Sequence, residues 1–229
     1  MENIPEQMMR QFYSEQSARE KQDKIQRFKR LNLYVKPGQI LFAGSSLMEQ
    51  FPIYEFLQDF DLPYTIYNRG VGGFTSAELL ENMEDCIYAL QPKHIFLNIG
   101  TNDLNGPDYS QEALIARYTQ ILRGIRERLP QAKLHLLAYY PVSAAVGKCI
   151  PYMKALLEHR TNARITAANA AVRELAARFD AQFLDLNTPL CDENGDLKEE
   201  YTIEGMHMYA NGYKPVLDQL LPVLASLDQ

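Results

Sequence analysis

The sequence of 229 residues lacks several features that mark whole classes of protein. It has no tryptophan, only four histidines and only three cysteines, Cys86, Cys149 and Cys191. The cysteines are widely spaced, form no Cys-x-x-Cys pair and are odd in number. This pattern predicts reduced thiols and a cytoplasmic location, and it argues against a structural zinc site. We therefore expect neither a metal nor another cofactor.

Long apolar runs are absent as well. No stretch approaches the roughly 20 apolar residues that a membrane-spanning helix requires. The N-terminus, MENIPEQMMRQFYSEQSAREKQDK, is polar and lacks the apolar core of a secretory signal. We expect no stable membrane anchor. The net charge of −6 also argues against nucleic acid as the main partner, because phosphate binding requires a basic surface.

The chain does contain a regular alternation of apolar runs and helical patterns. Apolar residues make up 46% of the sequence, which suits a single α/β domain spanning residues 1–229. Five runs bounded by turn residues predict a five-stranded parallel sheet covered by helices on both faces: GQILFAG, YTIYN, KHIFLNIG, KLHLLAYY and AQFLDL. The helical patterns between and after them are SAELLENMEDCIYAL, SQEALIARYTQILRGIRERLP, TNARITAANAAVRELAARF and NGYKPVLDQLLPVLASL.

Three segments depart from this alternation. Residues 1–35 form a helical extension, in which the pattern predicts an amphipathic helix over about residues 6 to 30. Residues 143–160 contain no clear strand and are interpreted as an inserted loop or short helix. The last helix is predicted to bend or to begin at Pro215.

Polar segments follow several of the predicted strands. They are GSSLMEQ, NRGVGG, GTNDLNG and, near the C-terminus, EGMH. Ligands of open α/β sheets bind beyond the carboxyl ends of the strands, so these segments are expected to meet at one edge of the sheet. Ser46 by itself could be an ordinary helix N-cap or a nucleophile. It is not in a Gly-x-Ser-x-Gly elbow, because Met48 occupies the second position after it.

Together the four segments resemble the conserved blocks of the SGNH (GDSL-type) hydrolases. The serine of the family falls on Ser46, the glycine on Gly70 and the asparagine on Asn102, while the Asp-x-x-His block falls on Glu204 and His207. The resemblance covers about residues 39–213, and within the family these segments are most similar to intracellular esterases related to platelet-activating-factor acetylhydrolase. It implies a three-layer, flavodoxin-like α/β/α fold and a small-molecule ester substrate.

The resemblance also implies a role for each of these residues. Ser46 would be the nucleophile, His207 the general base and Glu204 the carboxylate that orients the imidazole. The backbone N–H groups of Ser46 and Gly70 and the side-chain amide of Asn102 would form the oxyanion hole.

This chain departs from the family pattern at two positions. Ser45 and Glu204 stand where the family usually has aspartate. The longer Glu204 side chain would have to fold back to reach the imidazole. Asp103 is expected to bind nearby backbone rather than to transfer protons.

Several other side chains are weaker candidates for function. Arg69 could contact an anionic substrate or form a surface ion pair, and Tyr139 and Tyr140 could line a substrate pocket or belong to the core. His94 and His135 are expected to be packing or surface residues rather than ligands.

Two classes of function remain open at this stage. The first is an esterase of short acyl or acetyl esters. The second is a non-catalytic relative that keeps the fold and binds a ligand or partner. The N-terminal helix has two candidate partners, its own domain or a second subunit, so a homo-oligomer is also considered.

Overall fold

The computed structural model describes residues 6–227 and contains one five-stranded sheet. Its strands are β1 (Ile40–Gly44), β2 (Ile66–Gly70), β3 (His94–Asn98), β4 (Lys133–Leu137) and β5 (Gln182–Leu184). All neighbouring strands are parallel, in the order β2-β1-β3-β4-β5. Every residue of β1 and β3 is buried, and the apolar residues in these two strands are therefore consecutive rather than alternating. The predicted five-stranded parallel sheet is confirmed.

Helices cover both faces of this sheet. They are α1 (Glu6–Leu31), α2 (Ser46–Glu49), α3 (Ile53–Asp59), α4 (Ser76–Glu81), α5 (Met83–Cys86), α6 (Gln111–Arg128), α7 (Ala144–Gly147), α8 (Pro151–Leu157), α9 (Asn162–Arg178) and α10 (Ala210–Ala225). Short 3₁₀ helices occupy Asn32–Tyr34, Tyr88–Leu90, Thr101–Asn105, Thr188–Leu190 and Glu199–Tyr201. None of the helices in residues 6–227 combines the length and apolar character that a membrane span requires.

The core lies in two clusters, one on each face of the sheet. One cluster contains buried side chains of α1, α4, α6 and α9. The other contains buried side chains of α2, α3 and α10. This division is the expected three-layer α/β/α arrangement, in which each helix buries one apolar face against the sheet.

Helix α1 packs on the sheet domain through its C-terminal half only. Ile25 and Phe28 are 7% and 6% exposed, whereas Phe12 and Tyr13 are 59% and 60% exposed. The predicted N-terminal helix is therefore present. The first five residues of the predicted extension lie outside the described part of the chain.

The structure corrects one helix prediction and narrows two others. The pattern over SAELLENMEDCIYAL predicted one helix, but α4 and α5 are separated at Asn82, whose side chain bonds the Glu78 carbonyl at 2.8 Å. Residues 143–160, predicted to be an inserted loop or short helix, contain the short helices α7 and α8. Helix α10 begins at Ala210, so Pro215 lies inside it and does not start it.

The strand register brings the ends of three strands level. Gly44, the last residue of β1, pairs with Gly70 of β2 and Asn98 of β3. A side chain at Gly44 would place its Cβ 2.0 Å from the Asn98 carbonyl oxygen, so only glycine fits there. The segments that follow these strands consequently start from one tightly packed edge.

Candidate active site

Ser46 lies directly beyond the carboxyl end of β1 and is the first residue of α2. The backbone N–H of the preceding Ser45 donates to the Asn98 carbonyl at 3.2 Å, which ties this turn to β3. Among residues 6–227, no acceptor takes the N–H of Ser46. The nucleophile candidate therefore has a backbone donor available beside its hydroxyl.

His207 is held in a tight turn before α10. The turn is closed by an antiparallel bridge between Thr202 and Met208, and the Ile203 N–H donates to the His207 carbonyl at 2.8 Å. The Thr202 hydroxyl donates to the same carbonyl at 2.9 Å and accepts from the Gly205 N–H at 2.8 Å. These bonds fix the backbone on both sides of the imidazole.

Ser46, His207 and Glu204 form one hydrogen-bonded series. The Ser46 Oγ lies 2.8 Å from His207 Nε2, and His207 Nδ1 lies 2.7 Å from Glu204 Oε1. Glu204 Oε1 also accepts from the His207 backbone N–H at 3.0 Å. The side chain of His207 is 22% exposed and that of Glu204 is 8% exposed, so the imidazole is reachable while its carboxylate is shielded.

The environment of Glu204 keeps its carboxyl ionised. Burial raises its pKa, but the hydrogen bonds from the His207 side chain and backbone, with the charges of His207 and Arg160, outweigh burial and lower the pKa overall. The carboxylate can therefore hold Nδ1–H of the imidazole and leave Nε2 free to accept a proton from Ser46.

Asn102 lies in the 3₁₀ helix that follows β3. Its Nδ2 donates to the Phe74 carbonyl at 2.9 Å, and its Oδ1 accepts from Arg160 Nη2 at 2.7 Å and from Asn105 Nδ2 at 3.3 Å. An amide NH₂ carries two hydrogens, so one remains for a further acceptor.

The N–H of Gly70 already has a partner. It donates to the Asn68 side-chain oxygen at 2.9 Å, and a Cβ at Gly70 would lie 2.2 Å from the Glu49 backbone nitrogen. Gly70 thus serves the packing of β2 against α2, and the structure does not offer its N–H as an oxyanion donor.

Gly72, two residues later in the same loop, lies beside the serine. A Cβ at Gly72 would lie 4.0 Å from the Cβ of Ser46, and the Phe74 carbonyl contacts Asn102. Gly73, between them, has φ of +73°, and no acceptor in residues 6–227 takes its N–H. The loop from 72 to 74 therefore runs from Ser46 to Asn102 and carries a free backbone donor.

The sequence of this chain matches the GDSL-like lipase/acylhydrolase family over residues 53–214, which is more than half of its length. The chain belongs to the GDSL-like lipase/acylhydrolase family. It is thus a hydrolase. The matched region includes Asn102, Glu204 and His207 and begins seven residues after Ser46.

The chain is also similar to several individual proteins. The chain is 25% identical to platelet-activating factor acetylhydrolase IB subunit alpha1 of Bos taurus, over 85% of this chain and 79% of that protein. It is 24% identical to an N-acylneuraminate cytidylyltransferase of Escherichia coli over 84% of this chain, a match that spans only 42% of that protein. A solved structure from Streptococcus pneumonia, described by the name platelet activating factor, superposes with a TM-score of 0.84 and is 30% identical, with 95% and 98% of the two chains covered.

Asp103 of this GDSL-like hydrolase binds neighbouring groups as the sequence predicted. Its carboxylate accepts from the Ser76 N–H at 2.8 Å and from the Ser76 hydroxyl at 2.5 Å, and it forms an ion pair with Arg117 at 2.9 Å. Asp103 thus ties the 3₁₀ helix after β3 to the start of α4.

The structure does not bring the three weaker substrate candidates to the site. Arg69 is 3% exposed, donates to the Asn32 side chain at 2.9 Å and lies over the Phe28 ring, which directs it toward α1. Tyr139 and Tyr140 are 0% and 2% exposed. The Tyr139 hydroxyl donates to the Ile99 carbonyl, and Tyr140 packs in the cluster under α10. All three are core residues, because their strand-end positions turn their side chains inward.

The two histidines of the strands, His94 and His135, lie in the core, which agrees with the prediction that they are packing residues and not ligands. His135 stacks on Phe96 with ring centroids 4.3 Å apart, and its Nδ1 lies 2.9 Å from the Gln182 side-chain oxygen. His94 is 4% exposed, and its Nδ1 lies 3.4 Å from Nε2 of His135. Within residues 6–227, no group of three His, Cys, Asp or Glu side chains is placed to hold a metal ion.

Two features of the site had no signal in the sequence. One is Arg160, which ends the irregular segment 143–160 and reaches Asn102. The other is the contact of α1 with the loop after β2: Lys21 pairs with Glu78 at 2.7 Å, and Lys24 contacts Glu49, which in turn accepts the N–H of Gly72. Both depend on which residues face each other across the fold, and neither belongs to a local motif.

Proposed function

We propose that this GDSL-like hydrolase cleaves short acyl esters through an acyl-enzyme on Ser46, with His207 as the general base. The observation that carries the proposal is the continuous series of hydrogen bonds from Ser46 Oγ to His207 Nε2 at 2.8 Å and from His207 Nδ1 to Glu204 at 2.7 Å. A serine hydroxyl needs such a base to become a nucleophile at neutral pH.

In the first half-reaction, Ser46 Oγ attacks the ester carbonyl carbon while its proton passes to His207 Nε2. The carbon–oxygen bond to the alcohol then breaks, and the alcohol leaves with the proton from Nε2. In the second half-reaction, water attacks the acyl carbon and gives a proton to Nε2. The carboxylic acid departs as Ser46 Oγ regains that proton. Glu204 keeps its negative charge throughout and stabilises the imidazolium.

Three donors would stabilise the oxyanion of each tetrahedral intermediate. They are the N–H of Ser46, the N–H of Gly73 and the second hydrogen of the Asn102 amide. We assign Gly73 instead of Gly70 because the Gly70 N–H is bound to Asn68, while Gly73 lies in the loop between Ser46 and Asn102. Each donor of this kind contributes about 3–4 kcal/mol to lowering the barrier.

A short acyl group is favoured by the relatives. One of them is named as an acetylhydrolase and matches over most of both chains. The Arg69, Tyr139 and Tyr140 side chains supply no acyl pocket because they are buried in the core. We also propose that the protein is cytoplasmic, as the spacing and odd number of its cysteines predict.

Hydrolysis of p-nitrophenyl acetate by the parent and by Ser46→Ala tests the proposal, with Ser45→Ala as the matched control. Ser45 is buried, and within residues 6–227 its hydroxyl has one hydrogen-bond partner, the Thr101 hydroxyl at 3.4 Å. We expect Ser46→Ala to lose at least about 10⁴-fold in kcat and Ser45→Ala to stay within about threefold of the parent.

Trapping the intermediate provides a second readout. Rapid acid quenching during turnover should leave one acyl group on the peptide that contains Ser46. Undiminished turnover by Ser46→Ala would remove this serine from the reaction. A folded parent that hydrolyses no ester in a panel of acyl lengths would favour the alternative of a non-catalytic binding protein.

A further inference from the structure

Arg160 is a buried arginine in the turn between α8 and α9. It is 2% exposed and makes three contacts through its guanidinium. Nε donates to the Asn105 side-chain oxygen at 2.7 Å, Nη2 donates to Asn102 Oδ1 at 2.7 Å, and Nη1 contacts the Met206 sulfur. The guanidinium therefore joins the segment that carries Asn102 to the turn that carries His207.

The partners of Arg160 are neutral. No carboxylate of the described residues lies within ion-pair distance of it, and its acceptors are two amides and a thioether. Burial lowers the pKa of Arg160 to about 10, against the opposing charges of Glu204 and Asp103, so it remains a cation at neutral pH. Burying a cation without an ion-pair partner costs stability, and apolar residues of similar volume often replace buried charges without loss. This cost indicates a role beyond packing.

The chemistry of the guanidinium decides how the Asn102 amide is oriented. Arginine has only donors, so it must meet the Oδ1 end of the amide. A flipped amide would turn its NH₂ against the guanidinium and lose the 2.7 Å bond. Nδ2 must then face the other way, toward the Phe74 carbonyl, where one of its hydrogens stays available.

We propose that Arg160 is a positioning residue of the hydrolytic site, which holds the Asn102 amide with its NH₂ directed at the oxyanion. The inference rests on the proposed function, because it assigns Arg160 a task within that reaction. The side-chain oxygen of Asn105 accepts from Nε of the same guanidinium, so the planar group cannot rotate away from Asn102. Donors that are oriented before the reaction need no reorganisation when the charge develops.

Such a role has a kinetic signature. An amide that is free to rotate still permits the ground-state ester to bind, but it stabilises the transition state less. Loss of Arg160 should therefore lower kcat and leave KM nearly unchanged.

The first test compares Arg160→Lys with Arg164→Met. Lysine keeps the positive charge, but its ammonium lacks the planar array of N–H donors that a guanidinium has. Arg164 is the matched control because it donates to the Leu104 and Gly106 carbonyls, in the same segment as Asn102 but without touching its amide. We expect Arg160→Lys to lose at least about tenfold in kcat with KM within about twofold, and Arg164→Met to stay within about twofold in both.

A double-mutant cycle with Asn102→Ala separates positioning from a general structural effect. If Arg160 acts through the Asn102 amide, Arg160→Lys should change kcat by less than about twofold once that amide is gone. A full tenfold loss in the Asn102→Ala background would overturn the proposal, as would a parent-like kcat of the single Arg160→Lys variant. Thermal unfolding of each variant establishes that the kinetics come from folded protein.

A second substitution covers the case in which Arg160→Lys does not fold. Asn105→Ala releases the Nε end of the guanidinium and also removes the 3.3 Å bond from Asn105 Nδ2 to Asn102 Oδ1. It thus loosens the same amide without altering a buried charge, and it should lower kcat severalfold with KM unchanged. An unchanged kcat in that variant would overturn the proposal. A parent that hydrolyses no ester overturns the proposed function and this inference together, whereas an active parent with Arg160 variants equal to it overturns the inference alone.

Discussion

Glu204 Oε1 accepts two hydrogen bonds from His207, one from the ring Nδ1 at 2.7 Å and one from the backbone N–H at 3.0 Å. One oxygen atom thus orients the imidazole and also closes the turn that carries it. The longer glutamate side chain reaches this position because Gly205, with φ of +102°, turns the chain sharply between the two residues. Placing a Cβ at Gly205 would bring it 2.7 Å from the Ser143 carbonyl, so the turn is packed tightly against α7.

The first prediction concerns this carboxylate. Glu204→Ala should lower kcat more than tenfold, an effect of at least about 1.4 kcal/mol, because the imidazolium loses its counter-charge and the ring its orientation. Glu204→Asp keeps the charge and should retain most of the activity. Steady-state hydrolysis of p-nitrophenyl acetate measures both, with the exposed Glu200→Ala as the control for removing an acid nearby. An Ala variant as fast as the parent would mean that another acceptor holds Nδ1.

The second prediction tests Asn102 as an oxyanion donor. Asn102→Asp keeps the shape of the side chain and the oxygen that accepts from Arg160, but it removes the NH₂ group. We expect kcat to fall about 10²–10³-fold, as for the loss of other oxyanion donors. The new ion pair with Arg160 opposes the loss of the bond to the Phe74 carbonyl, so the melting temperature should change little. Activity and thermal unfolding on the same samples measure the two quantities. A variant that retains its kcat would exclude the amide as a donor.

The third prediction concerns α1. Phe28 is 6% exposed and lies beneath the Arg69 guanidinium at 4.9 Å, so Phe28→Ala should cost about 3–5 kcal/mol of unfolding free energy. Phe12 is 59% exposed, and Phe12→Ala should change stability by no more than about 0.5 kcal/mol. Urea unfolding of the two variants provides the comparison. Equal losses would show that the first half of α1 is buried in solution, for example against a second subunit.

The fourth prediction concerns pH and His135. Burial lowers the pKa of His135 to about 4 from the ordinary value of 6.5; the Gln182 hydrogen bond opposes the shift and the charge of His94 adds to it. Between these two values the unfolded chain binds a proton that the folded protein does not. Stability must therefore fall as the pH falls through this window, by about 2 kcal/mol at pH 5.

His135→Gln removes this titrating group and should flatten that part of the profile. The measurement is the free energy of unfolding in urea at about pH 7 and pH 5 for both proteins. The prediction would fail if the variant lost as much stability as the parent between those two pH values.

The sequence by itself determined the sheet and most of the long helices, and it singled out the groups that are proposed to react. The apolar residues of β1 and of the centre of β3 are consecutive because both faces of a central parallel strand are buried, and this pattern is visible without a structure. Ser110 and Thr161 cap α6 and α9 through local hydrogen bonds, so these helices begin where the sequence indicates. Ser46, Asn102 and His207 stand in short motifs, each directly recognisable.

The tertiary structure alone decided which groups at the strand ends face the site. Tyr139, Tyr140 and Arg69 follow or end strands, as Ser46 does, but their side chains turn into the core. Whether a strand-end side chain points inward depends on the register of the sheet and on the helices packed against it, which a local pattern does not contain.

For the same reason, the parts proposed for Gly73 and Arg160 in the site could not be predicted from the sequence. Three glycines stand close together in NRGVGG, and only the packing of Gly70 against α2 and its bond to Asn68 show that its N–H is occupied. Arg160 lies 58 positions from Asn102 in the chain and meets it only because α8 and α9 return to the end of β3. Contacts between distant segments are set by how the elements pack, and for this protein they determine how the site is held together.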